Sequence, residues 1–332
     1  MSDDTKSIDD LLVGPSPHVH DTTLSTRSVM AYVLIGLAPV VVAAIWFFGL
    51  MAIKQLVIIT AACLAFEWLF TRMRGRRASL DDCSAAVTGV ILALSLPGNA
   101  PWYIGVIAAM IAIGLGKVVF GGLGMNLFNP AMVGRAFVTI AFAKAMGKSG
   151  YFDVLSQATP LSWEGTDLPA SRVLFLGNHN GSLGEVSVLA SLVGGLYLCL
   201  KRIAAWEIPV AIILSMCAFS VLGQLLGRSL DPEATLLSLH LRIDQALFSG
   251  ALVFGAFFIA TDPVTNPMTR RGRVLFGILV AFFVWVIRAL SGYPEGFMFA
   301  ILIVNSLVPL INRLTIPKVV GQRRPVVQEA AV

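Results

Sequence analysis

Long apolar runs separated by short polar stretches make up most of this 332-residue chain. Runs of this length can cross a hydrocarbon core of about 30 Å as helices. The pattern therefore predicts an all-α polytopic membrane protein with about ten transmembrane segments. We place them at 28–49, 52–71, 84–97, 101–120, 129–146, 186–200, 204–226, 246–260, 274–290 and 295–312. Those at 84–97 and 186–200 are short, which predicts helices that are broken or tilted inside the protein.

The composition supports the same class of protein. Apolar residues make up 57% of the chain and charged residues 13%, far from the average of soluble proteins. The first 27 residues carry five Asp and no apolar stretch, so we interpret 1–27 as a polar cytoplasmic tail and not as a cleavable signal peptide. Residues 28–312 form the predicted transmembrane domain, and 313–332 form a second cytoplasmic tail.

Basic residues cluster at the ends of the apolar runs, so we attribute the net charge of +5 to membrane topology and expect no nucleic-acid partner. With both termini in the cytoplasm, seventeen of the 24 Lys and Arg fall on the inner side, Lys117 and Arg135 among them. The positive-inside rule therefore predicts cytoplasmic N- and C-termini. The long loop at 147–183 then lies on the outer, periplasmic side of a cell inner membrane.

One polar loop carries the spacing D-x-x-S-x-A-T, which runs from Asp153 to Thr159. A threonine hydroxyl in an extended loop can be esterified, and Pro160 keeps Thr159 out of the α region. The small side chain of Ala158 leaves room for a transferase to close on the loop. The same residues also fit an ordinary solvated turn of Ser, Thr and Pro, and a motif this short has a real rate of false positives.

Two polar stretches lie at the mouths of predicted membrane segments. The stretch at 121–132 combines three glycines, two asparagines and a proline. It fits either an anion or a polar ring edge at a helix N-terminus, or a close-packed turn between helices. In the stretch at 261–267, Asp262 is either an ion or flavin contact or a helix cap. Each stretch leads into Asn-Pro followed by Gly-Arg, with spacings that differ by one residue, and this echo predicts an internal repeat.

Ionisable side chains close to the bilayer are functional candidates by default. The acidic candidates for ion coupling are Asp262, Glu67 and Glu185. Lys54 lies in the same zone, with snorkelling to the interface as its alternative role. His18 and His20 have no third ligand nearby and the four cysteines show no C-x-x-C spacing, so we expect no metal site.

Several segments resemble one known family of membrane proteins, the RnfD/NqrB family, in the same order and spacing. The segments are S-P-H-x-H at 16–20, GGLGMNLFNPAM at 121–132, SQATPL at 156–161, FFIATDPVTNPMTRRGRVLFG at 257–277 and SGYPEGFMFAILIVNSLVPLI at 291–311. This family contains the D subunit of the Rnf complex and the B subunit of the sodium-pumping NADH:quinone oxidoreductase. The length and the start of the chain are more similar to the former.

The resemblance implies a subunit that relays electrons in an ion-translocating ferredoxin:NAD⁺ oxidoreductase, with electron flow coupled to Na⁺ or H⁺ transport. It implies FMN in phosphoester linkage to Thr159, with Asp153, Ser156 and Ala158 as the rest of the acceptor sequence. By analogy with the quinone reductase it also implies a second, non-covalent riboflavin. The implied partners are the other membrane and peripheral subunits of the complex, a flavin transferase and the lipid bilayer. Asn312 stands where many relatives have an acid, which puts any cation-handling role of that position in doubt here.

Other functions also fit the membrane pattern. Within the family, the alternative is a component like the B subunit of the quinone reductase. Outside it, a solute channel or transporter and a structural scaffold are the alternatives. Neither of these last two predicts a covalent flavin, so flavin fluorescence on the denatured polypeptide separates them from the flavoprotein.

Overall fold

A computed structural model describes the chain in six stretches. They are residues 25–75, 80–146, 171–177, 181–229, 243–290 and 296–317. Within these stretches the backbone is helical apart from turns, loops and an isolated bridge between Pro97 and Ser182, and no strand occurs. The prediction of an all-α protein is therefore confirmed for the described residues.

The helices in these stretches differ widely in length. In chain order they are α1 (Thr26–Phe48), α2 (Leu50–Met73), α3 (Ser84–Ser95), α4 (Trp102–Ile113), α5 (Pro130–Ala141), α6 (Ala143–Met146), α7 (Ser171–Leu176), α8 (Val188–Leu200), α9 (Glu207–Ser229), α10 (Ile243–Phe248), α11 (Leu252–Phe254), α12 (Arg270–Leu290) and α13 (Phe297–Thr315). Two π-helical turns, Gly114–Val118 and Gly255–Ile259, extend α4 and α11, and a 3₁₀ turn, Leu80–Asp82, precedes α3.

The prediction of about ten transmembrane helices is confirmed only in part. Among the described residues, five helices are long and apolar enough to span a membrane, namely α1, α2, α9, α12 and α13. Four shorter apolar helices, α3, α4 with its π turn, α5 and α8, occupy four more of the predicted segments. The predicted segment 246–260 is broken into α10, α11 and a π turn. Hydropathy does not reveal this break, which falls at Gly250 with a φ of 73°.

Local sequence signals explain where several helices begin. The side chains of Ser25, Asn129 and Ser187 accept hydrogen bonds from the first-turn N–H groups of α1, α5 and α8. Pro130 occupies the first helical position of α5, where its missing N–H costs nothing. Gly49, with a φ of 58°, ends α1 and begins α2. The chain therefore enters these segments at the residues whose chemistry favours a helix start or turn.

The C-terminal end of α3 lies inside the protein. Leu94 and Leu96 are fully buried, and their carbonyls accept hydrogen bonds from Gly184 N at 2.7 Å and Leu183 N at 3.3 Å. Backbone groups inside a membrane protein need partners within the protein. The short helix and the glycine-rich loop at 181–187 therefore satisfy each other, which explains how a segment too short to span is stabilised.

The internal echo of the sequence is accompanied by a similar local backbone. Both Asn-Pro pairs, at 129–130 and 266–267, follow a π-helical turn that begins with glycine. The two regions also touch, since the Asn129 side-chain amide donates at 3.4 Å to the carbonyl of Ile259, which ends the second π turn, and Asn129 lines one cavity with Thr261 and Asp262. The two polar loops therefore meet in one place, while the duplication itself stays a prediction.

Close helix contacts surround this meeting point. A Cβ placed on Gly134 of α5 would lie 2.4 Å from the Ala108 carbonyl of α4, so only glycine permits the approach. At the crossing of α1 and α8, a Cβ on Gly194 would lie 1.9 Å from the Gly36 carbonyl. Packing at backbone distance fixes α4 against α5, and so positions the π turn that follows α4, which carries Lys117, and Arg135 on α5.

Candidate functional site

The predicted flavin acceptor lies outside the described residues. Asp153, Ser156, Ala158 and Thr159 all belong to the stretch 147–170, for which the structure gives no geometry. The acceptor assignment therefore stays a prediction from the sequence. The three ion-coupling candidates, in contrast, are all described.

Glu67 forms a buried ion pair with Lys117. Glu67 lies on α2, Lys117 lies in the π turn after α4, and each side chain is only 1% exposed. Lys117 Nζ is 2.6 Å from Glu67 Oε1 and 2.7 Å from Oε2, so the ammonium occupies both carboxylate oxygens. A carboxylate and an ammonium removed from water to this degree are stable only as a pair. Glu67 is therefore engaged by a cation of the protein itself in this arrangement.

The same ammonium continues into a second carboxylate through a serine. Lys117 Nζ donates to Ser84 Oγ at 2.5 Å, and Ser84 Oγ donates to Asp82 Oδ1 at 2.5 Å. Asp82 Oδ1 also accepts from Ser84 N at 2.8 Å, which satisfies the first N–H group of α3. Between them Cys83 adopts a left-handed backbone with a φ of 59°, which is uncommon for a residue with a side chain. The chain is thus bent so that the Asp82 carboxylate lies against Ser84.

Glu185 belongs to a separate buried pair. Arg135 Nη2 of α5 lies 3.6 Å from Glu185 Oε1, and both side chains are 8% exposed. Glu185 Oε2 also accepts from Ser182 N at 3.3 Å, which stabilises the loop before α8. The structure thus does not bring Glu185 together with Glu67 in one cluster.

Two basic residues that we counted as inner-side topology signals are buried. Lys117 and Arg135 both pair with acids inside the protein, and neither reaches a surface. Their burial removes the basis for counting them as topology signals, because a charge within a protein interior reports a partner and not a leaflet, and the orientation itself stays a prediction. Lys54, in contrast, is exposed on α2, where it lines an open pocket of about 360 Å³, in agreement with snorkelling.

Asp262 stabilises the loop between the second π turn and α12. Its carboxylate accepts from Val264 N at 3.3 Å and from Thr265 Oγ1 at 3.2 Å. Neither interaction caps α12, which begins at Arg270, so the helix-cap interpretation of Asp262 is wrong. Loss of hydration raises the pKa of the Asp262 carboxyl above its ordinary value. The two hydrogen bonds lower this pKa, but their effect is smaller.

A cavity of about 60 Å³ brings the polar stretches of the sequence together. Its polar lining consists of Ser84, Thr88, Lys117, Asn126, Asn129, Thr261 and Asp262. Asn126 donates to the Phe128 carbonyl at 3.2 Å, while its buried Oδ1 has no partner among the described residues. A cavity of this size holds water or an ion, whereas pockets for drug-sized molecules start at about 300 Å³. The predicted second flavin therefore has no assigned position here.

Sequence reasoning missed three members of this site, Lys117, Ser84 and Asp82. Lys117 had one available signal, since it is the single charge inside the apolar run 102–120. Ser84 and Asp82 had none, because their partners are distant in sequence or lie in an ordinary polar turn.

Comparison with known proteins places the whole chain in one group. The sequence profile of the NQR2, RnfD, RnfE family matches residues 12–321. The D subunit of the Na(+)-translocating ferredoxin:NAD(+) oxidoreductase complex of Acetobacterium woodii is 37% identical over 321 residues, which cover 94% of this chain and 95% of that protein. The D subunit of the ion-translocating oxidoreductase complex of Actinobacillus succinogenes is 36% identical over 353 residues, with coverage of 92% and 96%. The protein of that name from Salmonella paratyphi A is 36% identical over 357 residues, with coverage of 94% and 99%.

Proposed function

The chain belongs to the NQR2, RnfD, RnfE family of membrane proteins, and from that premise we propose that it is the D subunit of a ferredoxin:NAD⁺ oxidoreductase complex that moves cations. The observation that carries this proposal is full-length similarity to proteins named as the D subunits of such complexes. The apolar helices agree with a multi-pass membrane protein. Other subunits of the complex are its partners, and neither a channel nor a scaffold accounts for the similarity.

Within this complex, Thr159 carries FMN through a phosphoester bond. The proposal is supported by the spacing from Asp153 to Thr159 and by Pro160, which favours an extended acceptor. The flavin supplies one- and two-electron chemistry when bound, and the protein supplies its position. Ser156 and Ala158 complete the sequence that a flavin transferase recognises.

Asp262 is the proposed contact for the coupled cation. Of the three acidic candidates, it alone lines the small cavity, and its neighbours there include Thr261 and Asn126, whose Oδ1 has no partner in the described part of the chain. Oxygen ligands of this kind suit Na⁺ and other hard cations. Glu67 and Glu185 are each paired with a basic side chain of the protein, so their carboxylates are already neutralised by that partner.

The flavin assignment is tested with Thr159→Ala, and Thr166→Ala in the same stretch serves as the matched control. We expect in-gel flavin fluorescence to disappear only in Thr159→Ala, while both variants reach the membrane in similar amounts, because a loop hydroxyl contributes little to stability. Peptide mass spectrometry should place the FMN mass on the peptide that contains Thr159. Flavin retained in Thr159→Ala, or found on another peptide, would exclude the assignment.

A further inference from the structure

We propose that a line of four hydrogen-bonded side chains carries protons from the turn before α3 to a buried carboxylate. In order, the line consists of Asp82, Ser84, Lys117 and Glu67. This inference rests on the proposed function, because it assigns to the complex a route by which protons enter this chain as electrons flow.

The distances along the line suit direct proton transfer. The two contacts at the Ser84 hydroxyl are each 2.5 Å, and the contacts from Lys117 to the Glu67 carboxylate are 2.6 and 2.7 Å. Groups that exchange protons lie at or near hydrogen-bond distances of about 2.6–3.2 Å. The four groups are therefore connected without a bridging water.

The two ends of the line lie in different environments. Asp82 is half-buried and its neighbour Asp81 is exposed, so a proton from water reaches this end. Glu67 is 1% exposed at the other end. A purely structural ion pair needs no connection to the surface, whereas here a strained left-handed residue, Cys83, places Asp82 against the relay.

The proton transfers balance. Lys117 first gives one proton to Glu67, which leaves a neutral amine and a neutral acid. Asp82 takes a proton from water and passes it to the Ser84 oxygen, while the original Ser84 hydroxyl proton moves to the Lys117 amine. Lys117, Ser84 and Asp82 return to their starting states, and one proton has moved from water to Glu67.

The cavity connects this line to the proposed cation contact. Ser84 and Lys117 line the same cavity as Asp262, so a charge at Lys117 acts on a cation beside Asp262 through little intervening protein. Among the described residues, the charged or titratable side chains close to the line include Cys63, Cys83, Arg74, Asp81 and Asp262. Protonation of Glu67 therefore has a direct electrostatic path to the cation site.

The test compares Asp82→Asn with Asp81→Asn in the complete complex reconstituted in liposomes. Both variants remove one negative charge from the same turn, and the amide introduced by Asp82→Asn keeps an acceptor oxygen for Ser84. During ferredoxin-driven NAD⁺ reduction, a pH-sensitive dye reports proton uptake on the side of Asp82. We expect Asp82→Asn to slow uptake at least about tenfold and raise the solvent isotope effect, and Asp81→Asn to stay within about twofold of wild type.

A second measurement does not depend on electron transfer. Time-resolved infrared spectroscopy after an acid jump follows protonation of the Glu67 carboxyl, identified by the band that Glu67→Gln removes. Asp82→Asn and Ser84→Ala should slow this step at least about tenfold, while Ser84→Thr, which keeps the hydroxyl, should not. Wild-type protonation rates in both slow variants would overturn the proton line. If the wild-type complex carried no covalent flavin or did not reduce NAD⁺, the proposed function would be refuted. The infrared rates would still show whether protons move along the line.

Discussion

Removing Lys117 should destabilise the protein strongly, and removing Glu67 at the same time should restore it. Lys117→Met keeps the length of the side chain but leaves the Glu67 carboxylate buried without its ammonium. Glu67→Met leaves the Lys117 ammonium buried without its carboxylate. The double variant, with Met at both positions, leaves neither charge. Lys54→Met on the exposed part of α2 is the matched control, since it removes a lysine without breaking a buried pair.

The magnitudes follow from the burial of the pair. Breaking a buried ion pair costs about 3–5 kcal/mol, whereas replacing both partners by apolar residues is roughly neutral. Independent effects would therefore add to roughly 6–10 kcal/mol in the double variant, and coupled effects give a loss near zero. Lys54→Met, like other surface substitutions, should change stability by no more than about 0.5 kcal/mol.

The assay is the apparent unfolding midpoint of the purified protein in detergent, recorded for all variants at one scan rate because unfolding of such proteins is often irreversible. A loss of about 3 kcal/mol corresponds to a decrease of roughly 6 °C or more in a chain of about 200 residues, and somewhat less in a longer one.

Two results would refute this reasoning. The first is a Lys117→Met midpoint equal to that of Lys54→Met, which would mean that the pair contributes nothing. The second is a double variant at least as unstable as the two single losses combined, which would mean that shape and not charge determines the site.

Two further predictions concern Asp262 and the topology. Because burial raises the pKa of Asp262, the folded protein binds this proton more tightly than the unfolded chain, so stability falls as pH rises from the ordinary range of Asp through the raised pKa. Asp262→Asn should flatten that part of the midpoint–pH curve and abolish the cation dependence of turnover while flavin fluorescence stays unchanged; unchanged pH and cation dependence would remove Asp262 from coupling. Ser149→Cys should react with a membrane-impermeant thiol reagent in intact cells, and labelling only after lysis would reverse the predicted topology.

Local chemistry made the helix starts predictable. The caps at Ser25, Asn129 and Ser187 act within three residues, so they can be recognised without knowledge of the fold. The break in the segment 246–260 was missed because hydropathy does not register the positive φ of Gly250, and the π turn after it was missed because it depends on tertiary packing. A Cβ on Gly255, which begins the π turn, would lie 2.3 Å from the Phe297 ring of α13. Hydropathy averages over such contacts, and an apolar run therefore looks continuous where the backbone changes its hydrogen bonding.

The candidate site depends on pairs that are far apart in sequence. Glu67 and Lys117 are 50 residues apart, and neither residue alone indicates whether its charge faces lipid, water or a partner. The sequence singled out Glu67 as a candidate because a charge in an apolar run is costly. The same reasoning applies to the lysine in the run 102–120, since one unpaired charge in a membrane interior implies a second of opposite sign. Applied to both runs together, this condition makes Glu67 and Lys117 candidate partners, whereas the pair itself and the Ser84 relay still require the folded positions of α2, α3 and α4.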